Sequence, residues 1–429
     1  MKGNYGIRIG VILSVMIIAV SAYAAAKSAQ SAPSTPAKPG QTCVECHTGL
    51  SPGLVSDWKA SKHAEKGVGC ETCHGADHNS AADADKAGVA GTETCNQCHE
   101  NQVKQFNGGK HALAWKCAVN MPNFPHLSRV FMEGGKGCGG CHAFGSKDEK
   151  ETGALKSAGT RSQGASCGVC HTRHTFSRTE ALAPQSCQTC HQGDDHPQWL
   201  MYSGSKHGVR SALKQVGVLP KDACAPTCQS CHMPKGDHAV KTAWGFFGIK
   251  FPLSKDPVWA ADQTTILQAM GLLDMKGAPT PAMEGAKALD LFRFTEDDWQ
   301  KERDKMIKTC AECHSTRFVK EELRKGDDLL READKLMAEG IREVAGLYKD
   351  GIVKKLEGQP EAFPNIFTFH EGPNPAEEKL FVMFLDHRPL MFMGAYHNNP
   401  EYPIWYGYSK MKADLYEIKK EAAELRKKP

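Results

Sequence analysis

Beyond its first two dozen residues the chain has no apolar run that approaches the ~18 residues needed to cross a bilayer, so no later segment reads as membrane-spanning. Strand-like alternation is scarce, no fixed repeat period appears, and neither sign of charge dominates: 53 Lys and Arg against 49 Asp and Glu give a formal +4. With 40% hydrophobic and 24% charged residues, the composition is neither that of a disordered chain nor that of an integral membrane protein. What it does not lack is cysteine and histidine, 18 and 19 in 429 residues. At this length a small disulfide scaffold is excluded, so the thiols need other work.

The cysteines fall in pairs. CxxC occurs at Cys43/Cys46, Cys70/Cys73, Cys95/Cys98, Cys138/Cys141, Cys167/Cys170, Cys187/Cys190, Cys228/Cys231 and Cys310/Cys313. Each is followed at once by histidine: His47, His74, His99, His142, His171, His191, His232 and His314. At the histidine frequency of this chain, eight successes in eight by chance is on the order of one in 10^11, which is why the pattern reads as c-type haem attachment. Two thiols three positions apart form thioethers to the two vinyl groups of one porphyrin, and the next imidazole becomes the proximal iron ligand. Paired zinc ribbons need no histidine at that position, and they need further ligands at matching spacing. Eight covalently bound haem c groups are therefore expected, one per ~50 residues, so the interior is largely porphyrin and the haems conduct electrons. Their sixteen propionates outweigh the +2 left once Lys2 and Arg8 are removed, so no nucleic-acid partner is inferred.

Export fits this chemistry. Lys2 and Arg8 precede an apolar stretch, Val11 to Val20, and Ala22-Tyr23-Ala24 has the form of a cleavage site. Residues 1–24 are expected to be a signal peptide, 25–42 a flexible leader, and the location periplasmic; an uncleaved anchor is the rival reading, for which the apolar stretch is short. Residues 43–235 hold seven motifs and form a haem-rich lobe. Residues 236–429 form a mainly helical region with the eighth motif and a tail for oligomerisation and the active site.

The expected fold is mainly α, a multihaem cytochrome c fold of helices and loops wrapped around haems, with long C-terminal helices. Thr295 with Asp298 resembles a capping box. Leu330, Ala333, Met337, Ile341, Val344 and Tyr348 recur at helical spacing. Met411, Leu415, Ile418, Ala422 and Leu425 make a short heptad seam behind a possible N-cap at Ser409, packing either on the chain's own body or on another copy. Trp244-Gly245-Phe246-Phe247 is either the wall of a haem pocket or plain packing. Cys117 and Cys224 stay outside the motifs, paired as a disulfide or buried, with no catalytic role expected.

The words between motifs resemble the octahaem cytochromes c of the hydroxylamine oxidoreductase (HAO) family. They include Cys-His-Thr-Arg-His-Thr-Phe-Ser at 170–177, Asp-His-Pro-Gln at 195–198, Tyr-Ser-Gly-Ser-Lys-His-Gly at 202–208 and the tail Tyr-His-Asn-Asn-Pro-Glu-Tyr-Pro-Ile-Trp-Tyr-Gly at 396–407. The resemblance runs from about residue 43 to 407, and the last 22 residues match no membrane anchor of the kind some relatives carry. It implies seven bis-histidine relay haems, their distal ligands drawn from His63, His78, His111, His174, His207, His238 and His397. It implies one open haem, on Cys138, Cys141 and His142, for a small nitrogen substrate, with Asp195 and His196 as the distal proton-handling pair. It further implies a homotrimer in which a tyrosine, Tyr402 or else Tyr406, is crosslinked to the catalytic haem of a neighbour. The activity implied is oxidation of hydroxylamine to nitric oxide or nitrite, with electrons passed to a soluble cytochrome c or quinone-linked acceptor. Nitrite reduction on the same scaffold and a substrate-free electron wire are the alternatives.

Overall fold

In a computed structural model, the structure describes residues 42–120, 128, 131, 137–157, 166–292, 295–367 and 372–427. The expected signal peptide and nearly all of the leader lie outside the described residues, as do His126 and His370. The fold is mainly α: no strand is formed among the described residues, which hold only isolated bridges, Gly193 with His196 and Leu273 with Pro279. None of the described helices is long and apolar enough to cross a membrane.

Up to residue 235 the helices are short, and five of them begin on the first cysteine of a motif. Cys70–His74, Cys138–His142 and Cys228–His232 are each little more than one helical turn. One turn is what the motif needs, because residues three and four apart share a helix face, bringing two thiols and an imidazole together. Local caps hold such turns without much core: Thr42 and Glu45 form a capping box before Cys43, and Ser166 accepts from Gly168 N before the turn at Cys167. Before Cys138 the chain turns through Gly137 at φ +61°, where a Cβ would stand 2.7 Å from the Phe131 carbonyl oxygen.

Six helices of the second half build the apolar core: α1 (Pro257–Ala269), α2 (Glu296–Cys310), α3 (Thr316–Lys349), α4 (Pro375–Val382), α5 (Arg388–Tyr396) and α6 (Ser409–Lys427). Thr295 caps α2 by accepting from Asp298 N, as its spacing implies. The stripe Leu330 to Tyr348 lies along α3 and is buried throughout, packed by α1, α5 and α6. Met411, Leu415, Ile418 and Ala422 are buried against α3 and α4, so the heptad seam packs on the chain's own body. Ser409 is the first residue of α6 and not its N-cap. The backbone is already helical from Tyr402, as a wide π-type stretch, Tyr402–Tyr408, that runs straight into α6.

The aromatic stretch at 244–251 resolves as packing. Phe247 stacks on Phe384 with centroids 5.6 Å apart, Trp244 lies 4.6 Å from Tyr396, and Phe251 meets Trp259 and Trp299. A buried ion pair fixes this wall. Arg388 and Asp334, both 1% exposed, are hydrogen-bonded; Arg388 also donates to the Phe247 carbonyl, and Trp259 Nε1 donates to Asp334 at 2.7 Å. Burial pushes the Asp334 carboxyl up, and the charge of Arg388 opposes it. Removing one partner of such a pair strands a buried charge. Asp334→Ala is expected to lower stability by about 3–5 kcal/mol, and Ile341→Ala in the α3 stripe by about 2–5 kcal/mol. Denaturant titration of the holoprotein followed by far-UV circular dichroism measures both, and a loss below ~1 kcal/mol for Asp334→Ala would refute the structural role of the pair.

Candidate active site and histidine pairs

Among the described residues, every motif histidine except His142 has an imidazole from elsewhere in the chain about 6 Å away, and His191 has a second, His196, besides His111. The ring centroids of His47 and His78, His74 and His174, and His314 and His207 are 6.1 Å apart. Those of His99 and His63, and of His232 and His397, are 6.2 Å apart, and those of His171 and His238, and of His191 and His111, 6.3 Å. The angle between ring planes wanders from 19° to 69° while the separation stays between 6.1 and 6.3 Å. Ordinary packing would not hold one distance through such different tilts. Two imidazoles that bind a metal from opposite sides, each through a nitrogen about 2 Å away, have centroids about 6 Å apart. The seven partners are the seven distal histidines expected from the sequence, each used once.

Backbone groups set the orientation of many of these rings. Nδ1 of His74, His238 and His397 meets the carbonyls of Gly88, Gly236 and Met393 at 2.7, 2.8 and 2.8 Å, which leaves Nε2 for the gap. Burial holds His111 and His232 down to about 4, so these imidazoles are neutral, the state that ligates. The two Ser-Lys-His words share one mechanism. Ser61 and Ser205, both buried, are N-caps that accept from Ala64 N and Gly208 N, and each places its histidine, His63 or His207, at the second helical position.

The thiols are less strongly marked than the imidazoles. None of the motif cysteines is in a disulfide, which leaves each sulfur available for a thioether. At Cys46 and Cys98, the second thiols of the first and third motifs, what the structure supplies is the backbone turn. Cys46 sits half-buried in the helix Cys43–Leu50, its N–H donating to the Thr42 carbonyl at 3.1 Å. Cys98 is exposed, outside the short helix Thr92–Asn96, in a turn closed by its N–H to the Cys95 carbonyl at 3.2 Å. The expected haem-binding role of Cys46 and Cys98 therefore rests on their place in the CxxCH motifs and not on a contact of their side chains.

His142 differs from the other motif histidines. Its Nδ1 meets the Ala114 carbonyl at 3.0 Å, so the ring is aimed like the others, yet no described imidazole faces it across a gap. Asp195 is close enough to feel the His142 charge. Asp195 and His196 are hydrogen-bonded through Oδ1 and Nδ1. Burial opposes the charge on Asp195, but the hydrogen bond with His196 and its charge hold the carboxyl below the usual range; the same bond raises His196. Gly193 makes room for the pair, since a Cβ there would stand 3.1 Å from both Asp195 Oδ1 and His196 Cε1. The His196 ring also lies 6.2 Å from His191, nearly perpendicular to it.

Two residues that the sequence reading passed over position this site. Gln198 accepts from His191 Nδ1 at 3.2 Å and reaches Met393 Sδ on α5. Asn399 donates to the Met201 carbonyl at 2.9 Å and accepts from Glu401 N and Tyr402 N, tying the tail to the helix Gln198–Ser203. The signal for both was their place inside the Asp-His-Pro-Gln and Tyr-His-Asn-Asn words. Tyr402 is buried in its own subunit, stacked 4.5 Å from Tyr406, whereas Tyr406 is 46% exposed beside exposed Trp405. Cys224 Sγ lies 3.1 Å from Cys313 Sγ and not against Cys117, whose thiol burial pushes up.

Single helical turns carrying CxxCH, with imidazoles spaced for one metal, in a mainly helical frame, define a multihaem c-type cytochrome. The chain belongs to the family described as "Seven times multi-haem cytochrome CxxCH", whose pattern matches residues 66–251 and 286–362. It carries covalently bound c-type haem. A second family pattern, cytochrome c554 and c-prime, matches residues 18–75. A curated relative, the "Probable nitrite reductase-hydroxylamine oxidoreductase fusion protein" of Kuenenia stuttgartiensis, is 28% identical over 90% of this chain, which spans about half (51%) of the relative's length. Among solved structures, a chain of the Kuenenia stuttgartiensis reducing HAO-like protein complex shares the fold at TM-score 0.65 and 22% identity, covering 90% of this chain and 84% of that one. A "Hypothetical multiheme protein" does so at TM-score 0.61 and 18% identity, over 92% and 97%.

The pairing carries a direct test. His397→Ala should add one high-spin haem to the electron paramagnetic resonance spectrum of the holoprotein while mass spectrometry finds the haem count unchanged. An unchanged spin state would show that His397 is not an iron ligand.

Proposed function

We propose that the protein is an octahaem oxidoreductase of small nitrogen compounds, working in the periplasm. Seven haems, each between one of the histidine pairs, are electron relays, and one haem, on Cys138, Cys141 and His142, is the catalytic centre. The observation that carries this reading is the asymmetry of His142: alone among the motif histidines it faces no described imidazole, and the hydrogen-bonded Asp195 and His196 lie near it. When bound there, haem supplies an electron acceptor and an open coordination position for a small ligand.

The remaining work falls to side chains. Hydroxylamine oxidised to nitric oxide gives up three protons with three electrons, so a proton acceptor has to stand by the substrate. Asp195 fixes the His196 ring through Nδ1 and turns its other nitrogen into that acceptor, while the carboxylate steadies the charge that results. Gln198 holds His191 in place beside them. Hydroxylamine oxidation is the direction assigned, with electrons leaving through the relay to a small cytochrome c or quinone-linked acceptor. The reverse direction, nitrite reduction, is the second reading, favoured by the likeness to the reducing HAO-like complex and compatible with the name of the fusion relative, which carries both activities.

Steady-state turnover with hydroxylamine plus an oxidant, set against nitrite plus a reductant, decides between them. Asp195→Asn is expected to lower the faster of the two by about 10^2-fold or more. If neither substrate turns over and no high-spin haem is present, the chain is an electron wire and the proposal fails.

A homotrimer with a tyrosine-to-haem crosslink belongs to the same reading. The exposure of Tyr406 on the π-type stretch, next to Trp405, favours it over buried Tyr402 as the residue that reaches a neighbouring copy. Denaturing gels should then show a covalent oligomer that Tyr406→Phe abolishes. Survival of the oligomer in that variant, and its loss in Tyr402→Phe, would return the role to Tyr402.

A further inference from the structure

Two motif imidazoles are steered by the backbone: Nδ1 of His74 and of His142 meets the carbonyls of Gly88 and Ala114 at 2.7 and 3.0 Å. His191, in the sixth motif, is held by a side chain instead, its Nδ1 donating to Gln198 Oε1 at 3.2 Å. The difference matters because a backbone carbonyl is the same acceptor in every sequence, whereas a side chain sets its own strength. His191 also stands where such control counts. Its ring is 6.3 Å from His111, its expected partner across the iron, and 6.2 Å from His196, nearly perpendicular to it. The sixth motif is therefore the relay centre beside the Asp195–His196 pair.

The loop that builds this arrangement is short and closed. Trp199 N donates to the His191 carbonyl at 2.7 Å, and inside that closure His196 N donates to the Gly193 carbonyl at 3.1 Å. Gln198 is the first residue of the helix Gln198–Ser203. Residues 191–199 thus carry an iron ligand, the proton-handling pair and the amide that touches the ligand. The amide is fixed from its far side. Nε2 donates to Met393 Sδ at 3.5 Å, which leaves Oε1 turned to His191. The carbonyl of Met393 meets His397 Nδ1 at 2.8 Å, so the residue that holds Gln198 also holds a ligand of the relay centre between His232 and His397.

We propose that Gln198 sets the reduction potential of the haem held by His191 and His111, and with it the ease of electron exchange between the catalytic centre and the relay. An imidazole whose second N–H is given to an acceptor is the more basic ligand and stabilises ferric iron. A stronger acceptor at position 198 lowers the potential, and loss of the acceptor raises it. Gln198 touches no substrate; it is a positioning residue that acts through His191. Any acceptor would satisfy a buried N–H, so the sign of the change in potential is what separates tuning from plain packing.

The proposal rests on the function assigned above for the identity of the neighbouring centre, but the potential is read without substrate, so the two fail separately. Potentiometric titration of the holoprotein, followed by absorption and electron paramagnetic resonance, compares wild type with Gln198→Glu and Gln198→Leu. One component should move in opposite directions in the two variants. A carboxylate at 198 should favour the ferric form about tenfold, a fall of ~59 mV for one electron, and Gln198→Leu should favour the ferrous form by a similar factor. The component that moves should be the one that His111→Ala removes from the low-spin spectrum. With hydroxylamine as substrate, Gln198→Glu should lower kcat severalfold and leave KM unchanged, because the nearest acceptor takes electrons less readily. Potentials that stay put in both variants, that shift in the same direction in both, or that shift in another component overturn the proposal. So does new high-spin haem in Gln198→Leu, which would make Gln198 a clamp on the ligand and nothing more. A wild type inactive toward both hydroxylamine and nitrite overturns the functional assignment and leaves the potential result standing.

Discussion

A gap of fixed width between two imidazoles governs this molecule. Each pair must leave about the room of one metal ion and its two nitrogen bonds, neither more nor less, and must present neutral rings from opposite sides. Much of the structure up to residue 235 serves that end: single-turn helices for the thiols, buried serine caps under His63 and His207, backbone carbonyls that clamp Nδ1. The two apolar clusters found among the described residues contain nothing before Met201. Over much of that length the chain is organised by what it holds and owes little to side-chain packing.

The division between the two halves follows. From Phe247 onward, apolar stripes at helical spacing close on one another in the usual way, around α3. The Asp195–His196 pair sits at the junction. Asp195 and His196 come from the motif-rich half, while Met393 and Asn399 reach them, or their neighbours, from the helical half. The π-type turns on either side of α5 let one short stretch carry a distal histidine, an ion pair and the aromatic tail.

Legibility in the sequence followed the reach of the interaction. The motifs could be read because thiols and imidazole act within one turn, and for Cys46 and Cys98 that local spacing carries the case. The α3 stripe could be read because burial there has the helical period, and the distal histidines could be named because their short words are local as well. Their pairing could not: His74 meets His174, and His232 meets His397, through contacts that no local pattern encodes. The aromatic stretch at 244–251 was ambiguous because a pocket wall and a core face ask for the same residues. Only Arg388, arriving from far along the chain to hold the Phe247 carbonyl, settles it as core. The N-cap expected at Ser409 is absent because a π-type stretch that runs straight into an α-helix needs no cap where it changes pitch.

One of these pairs bears on how the protein is made. His232 lies in the seventh motif, whereas the ring opposite it belongs to His397, close to the end of synthesis. Docking of the tail, through Asn399 on the Met201 carbonyl, is therefore what closes the gap opposite the seventh motif. A chain cut short upstream of His397 would lack the imidazole opposite His232 and leave that face of the seventh motif open.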